Sequence, residues 1–103
     1  MDALDEEMAK IQTAIWLSDK LARLCRENIR AKKEADTDGM CRISDEIDRL
    51  VHSRDFSDAV GLVGIDLFYP DTLRKIRAML ESGEVCSVSE AAEVIAPAYG
   101  KQK

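Results

Sequence analysis

Neither proline nor glycine occurs between residues 2 and 35, and through that stretch apolar side chains recur with helical spacing. Leu4, Met8, Ile11, Ile15, Ala22, Cys25 and Ile29 follow a four-three alternation, with Ser18 as its one polar member, so they fall along one stripe of a helix. A second stripe, Ala14, Leu17, Leu21 and Leu24, lies beside the first. Two adjoining stripes make a face wider than a two-stranded coiled-coil seam, which predicts a bundle helix with more than one neighbour. Aspartate and glutamate crowd its first turn, where the helix dipole favours negative charge. Thr37-Asp38-Gly39 is expected to end it, with Gly39 in the left-handed conformation that closes a helix.

That helix is long for its chain. About 34 residues at 1.5 Å each give roughly 50 Å, whereas a compact domain of about 100 residues has a radius of gyration near 13 Å. Either the helix bends near Ser18 or it projects and is covered by a second copy. The expectation is a homodimer, with Leu4, Met8, Ile11, Ile15, Leu17, Leu21 and Leu24 as the self-association stripe.

Shorter helices follow. Ile43, Ile47, Leu50 and Val51 mark one face of a helix over 40–52, with charged residues opposite. Ser53 to Asp58 is turn-like around Phe56 and can open a short helix ending at Gly61 or Gly64. Val63-Gly64-Ile65-Asp66-Leu67-Phe68 alternates partly as a strand does. Pro70 suits a first helical turn, and Leu73, Ile76, Met79 and Leu80 give a core-facing stripe over 70–82 that stops before Gly83. Ser87-Val88-Ser89-Glu90 has the form of a capping box and opens a last helix over 88–96, with Val88, Ala91, Ala92 and Ile95 inside and Pro97 as its stop. Beyond it, Tyr99 to Lys103 are expected to fray. The fold class is therefore all-α: one domain over 1–103, a long N-terminal amphipathic helix plus three or four shorter helices in a small bundle, the last two forming a hairpin. A short strand at 63–68 is the open alternative.

The charge bears on function. The 103 residues carry 15 basic and 20 acidic side chains, a net charge of −5, with 10 basic and 14 acidic in residues 1–60. Such a balance opposes casual attraction to nucleic acid or anionic membrane, since phosphate binding relies on lysine and arginine. No uncharged run exceeds the eight residues Ile11–Ser18, far short of the roughly 20 apolar residues that span a bilayer. The acidic N-terminus lacks the basic region of a signal peptide, so a cytoplasmic location is expected.

Catalytic and metal patterns are sparse. Cys25, Cys41 and Cys86 form no Cys-x-x-Cys pair and sit beside apolar helical positions, which predicts buried free thiols. A zinc site would need all three to converge with the single histidine, His52. That histidine follows Leu50-Val51 and reads as a partly exposed helix-end residue, not a catalytic base. Asp45, Glu46 and Asp48 point in different directions around a helix, and Asp2, Asp5, Glu6 and Glu7 belong to a helix N-terminus; both groups read as solvated. No phosphate loop, H-E-x-x-H or EF-hand pattern is present. Neither a cofactor nor an enzymatic activity is expected.

The aromatics are the better candidates. Trp16, between Ile15 and Leu17, serves either as a core anchor or as a partner contact, and the pair Phe68-Tyr69 poses the same choice. With Phe56, Asp66 and Asp71 they form the candidate partner interface. Val63 to Ile95 resembles the ribbon-helix-helix family of DNA-binding regulators and antitoxins, through a short strand, Pro70-Asp71-x-Leu73, Leu80-Glu81-Ser82-Gly83 and Ser87-x-Ser89-Glu90. The resemblance covers about a third of the chain and implies a ribbon over Gly64 to Phe68 paired with a second chain. Its groove-facing side chains would be Gly64, Asp66 and Phe68, or Ile65 and Leu67, whereas bases are read chiefly by Arg, Lys, Asn and Gln. No basic residue lies between Arg54 and Arg74, so the charge opposes direct nucleic-acid binding. In size, acidity and lack of an active site the chain is similar to small phage-encoded inhibitors of nucleic-acid-binding defence systems, anti-CRISPR proteins among them. The leading expectation is an acidic protein-binding module, an adaptor or inhibitor, whose partner presents a basic surface; a ribbon-helix-helix regulator or antitoxin is the alternative.

Overall fold

The computed structural model describes residues 3–100. Five helices follow one another: α1 (Ala3–Lys33), α2 (Thr37–Val51), α3 (Arg54–Val63), α4 (Pro70–Ser82) and α5 (Val88–Gly100), with a single 3-10 turn at Ile65–Leu67 between α3 and α4. No strand occurs among the described residues. No helix among them is long and apolar enough to cross a membrane.

α1 is the hub. α2, α3 and α4 all pack on it, and α5 closes the bundle against α3 and α4. Ile11 and Leu24 of α1, Leu73, Ile76 and Leu80 of α4 and Val88 of α5 are the largest fully buried side chains. Both apolar stripes of α1 are used, but the first drifts out of the core. The buried positions run Ile11, Ala14, Ile15, Leu17, Ser18, Leu24 and Ala31, while Cys25 is exposed and Ile29 is 57% exposed. A strict seven-residue repeat walks about 20° around a straight helix per heptad, so the covered face passes from the first stripe to the second along α1.

The ends of the helices correct several expectations. α1 stops at Lys33, not at Gly39. Ala35 takes the left-handed conformation (φ 56°), its N–H donates to Lys32 O at 3.2 Å, and the Asp36 N–H donates to Ala31 O at 2.9 Å, a Schellman closure. Asp36 then caps α2 by accepting from Gly39 N–H at 3.0 Å. Gly39 thus lies in the first turn of α2, where an added Cβ would collide with the Asp36 carboxylate. α2 begins at Thr37, three residues earlier than its apolar face alone predicts. Ser53 caps α3 through Phe56 N–H at 3.2 Å.

Residues 63–68 form no strand. Gly64 ends α3 at φ 92° and ψ 151°, a conformation restricted to glycine, and the 3-10 turn follows. A strand would send Leu67 and Phe68 to opposite faces; the turn delivers both to the core, where they are buried. α4 runs as its stripe predicts, from Pro70 to Ser82, and ends on left-handed Gly83. α5 continues through Pro97 to Gly100, so Pro97 does not stop it and Tyr99 is helical, while 101–103 lie outside the described residues. Proline removes one helical hydrogen bond without forbidding the turns on either side.

The Ala35 closure tests directly. α1 and α4 end in the same motif, but only α4 supplies glycine at the left-handed position. A Cβ there costs about 1 kcal/mol or more. Ala35→Gly is expected to raise unfolding free energy by about 1 kcal/mol, less the extra entropy of the unfolded glycine chain, read from urea unfolding of the two proteins.

Candidate protein-interaction surface

The long first helix places one aromatic outward. Trp16 is 58% exposed, and Lys20, four residues further on and therefore one turn along, holds its ammonium 5.1 Å from the ring centroid. Arg23 and Arg26 extend the same flank of α1, and together with Asp19 they line a shallow groove beside the indole. A larger groove joins Trp16, Lys20 and Arg23 to Glu46 and Arg49 of α2.

Tyr69, 60% exposed, stands at the N-terminus of α4. It borders a further groove with Asp19, Ala22 and Arg26 of α1 and with Asp71 and Arg74 of α4. Trp16 and Tyr69 therefore flank the same Asp19–Arg26 segment of α1. An Arg74 to Asp19 ion pair of 2.6 Å fixes α4 to α1 between them. Both partners are more than 40% exposed, so the pair orients the surface more than it stabilises the fold.

The nominated residues separate accordingly. Trp16, Tyr69 and Asp71 come together on this face, and Asp66 is exposed in the turn before it. Phe56 and Phe68 are buried and meet edge to face, ring centroids 5.2 Å apart. They belong to the core, and their assignment to a partner interface is corrected. The proposed self-association stripe is likewise occupied from within: Ile11, Ile15, Leu17 and Leu24 are buried by the chain's own helices, Met8 and Leu21 are half-buried, and Leu4 is 38% exposed. A second copy could not use the buried four without opening the core.

The thiols also depart from expectation. Cys25, Cys41 and Cys86 are all exposed: the first two lie off the buried faces of α1 and α2, and Cys86 stands in the loop between α4 and α5. The His52 ring contacts Asp48 O through Nδ1 at 2.7 Å. Among the described residues no group of three or more His, Cys, Asp or Glu side chains is placed to hold a metal ion.

Glu7 is the acidic residue whose role the sequence does not disclose. Its carboxylate accepts from Lys10 at 2.9 Å and from the backbone N–H of Val88 at 2.7 Å, so α1 caps the start of α5 across 81 positions. Ser87 accepts from Glu90 N–H at 3.1 Å as a capping box requires, but the Glu90 carboxylate accepts from Cys86 N–H instead of that of Ser87. The Lys10 hydrogen bond and then the Val88 amide hold the Glu7 carboxyl below its ordinary value, against a smaller opposing effect of burial. Glu7 raises the Lys10 ammonium in turn. No family profile, curated protein or solved structure matches this chain.

A lowered folded value means that ionised Glu7 stabilises the fold above the unfolded carboxyl value, and that this contribution fades as pH falls through the folded one. Glu7→Gln is expected to lower stability by about 1 kcal/mol at neutral pH, since it replaces a charge-assisted bond with a neutral one. Thermal melts of both proteins should converge in acid, once Glu7 is protonated, and a gap that persists there would contradict the assignment.

Proposed function

We propose that this chain is a non-enzymatic protein-binding module, an adaptor or inhibitor, that grips its partner through the Trp16–Tyr69 face. The observation that carries the reading is the pair of exposed aromatics that flank one segment of α1, Trp16 from α1 itself and Tyr69 from the start of α4. Tryptophan and tyrosine dominate binding energy where they enter a partner's pockets, and arginine is the third residue type enriched there. Both aromatics stand beside Arg26, Trp16 on α1 and Tyr69 in the extended residue just before α4.

The net charge of −5 favours a partner with a basic surface, because unlike fields steer encounter and suppress wrong pairings. Asp66 and Asp71, in the stretch from 55 to 73 that holds no cation, supply that charge at the Tyr69 end of the face, while Lys20, Arg23 and Arg26 line its Trp16 end. A small acidic protein of this kind can occupy the basic surface by which a nucleic-acid-binding protein holds phosphate. That is the form of inhibition the chain's size and charge suit best.

Affinity capture with the full chain as bait, compared with Trp16→Ala, Tyr69→Ala and the exposed control Ser44→Ala, tests the reading. The expected outcome is a specific protein retained by wild type and Ser44→Ala, with affinity for both aromatic variants reduced about tenfold or more. Capture unchanged by both aromatic substitutions would overturn the proposal.

A further inference from the structure

A cleft of about 590 Å³ runs between α1 and α2 with Trp16 on one wall. Leu17 and Leu50 complete its apolar lining, and its cations come from both helices, Lys20 and Arg23 from α1 and Arg49 from α2. Glu46 and Asp55 are its carboxylates. A smaller groove on the same indole adds Arg26 and Asp19. An apolar lining, charged walls and one exposed aromatic ring together make a concave site suited to a partner's side chains.

Most of the cations here are uncommitted. Lys20, Arg26 and Arg49 join no ion pair among the described residues, and Arg23 reaches Glu27 only at 4.0 Å. Asp19, by contrast, is held by Arg74 at 2.6 Å and does not neutralise the cations beside it. Four cations thus outweigh the carboxylates of Glu46 and Asp55, and the Trp16 end is positive on a chain of net charge −5. The Tyr69 end has the opposite sign. Asp71 lines its groove, Asp66 is exposed in the turn before it, and Arg74 in that groove is spent on Asp19.

Two features choose a protein segment over a nucleic-acid strand as the anionic occupant of the positive end. The Lys20 ammonium lies 5.1 Å from the centre of the indole, so one face of the ring is covered where a nucleobase would stack. Glu46 and Asp55 in the same cleft would repel a chain charged at every phosphate. A polypeptide can set carboxylates opposite the arginines alone and an apolar side chain against the ring, and the planar guanidinium matches a carboxylate with two parallel bonds. We propose that the Trp16 groove receives an acidic segment of the partner, its carboxylates on Lys20, Arg26 and Arg49, while the partner's basic surface meets only the Tyr69 end. This rests on the recognition face proposed above and gives that face a direction, because like charges brought together in the reversed orientation are penalised.

Trp16 is the only tryptophan, so its emission reports on the groove. The full chain in low salt is titrated with a synthetic peptide rich in glutamate and leucine, with the same peptide carrying lysine for glutamate, and with oligothymidine. A saturable change in emission is expected with the glutamate peptide alone. Arg26→Glu with Arg49→Glu alters two exposed side chains, so helical circular dichroism should match wild type while the peptide's dissociation constant rises about tenfold or more. No saturable change at about 1 mM glutamate peptide overturns the proposal. So does an equal response to the lysine peptide, a stronger one to oligothymidine, or binding indifferent to the two reversals. A captured partner that needs Trp16 and Tyr69 but ignores the reversals would refute this direction alone, and peptide binding beside a capture that ignores the aromatics would refute the recognition face alone.

Discussion

The inner face of α1 is the surface on which the other elements are organised. Helices of 10 to 15 residues are too short to persist alone in water, and α2 to α5 all fall in that range. Each is stable because its apolar side has somewhere to go. For α2, α3 and α4 that place is α1, with Ile11, Ile15, Leu17 and Leu24 as the shared floor. Only α5 docks chiefly on other helices, and there α1 contributes differently, through the Glu7 carboxylate at the amide of Val88. One apolar face, made of both stripes, and one long-range cap thus connect the first helix to every later one.

The same dependence explains what could be read in the sequence. α1, the stripe of α4 and the serine cap of α5 are local patterns, repeating every three or four residues or lying within one turn, and they were legible. Gly39 was misread because glycine serves two opposite purposes near a helix boundary. Its flexibility can close the helix before it, or its missing Cβ can make room for the cap of the helix after it; Asp36 decides for the second. Leu67 and Phe68 were ambiguous because alternation in so short a segment does not distinguish a strand from a turn, and burial of both settled it. Trp16 stands next to Ile15 and Leu17, yet adjacent residues on a helix point about 100° apart, so buried neighbours imply nothing for it. Pairings across the chain, Glu7 with Val88 or Asp19 with Arg74, leave no local signature.

The site was legible in part for the same reason. An exposed aromatic followed by lysine one turn later is a local pattern, and Trp16 with Lys20 is one. That Tyr69 would stand across the Asp19–Arg26 segment from Trp16 depends on where the 3-10 turn delivers the chain to α4, and this follows from Gly64 and the burial of Leu67 and Phe68. Sequence reasoning nominated two aromatics that stand exposed, Trp16 and Tyr69, together with two that are buried. Phe56 and Phe68 resemble Trp16 and Tyr69 in chemistry and differ only in which way the backbone turns them.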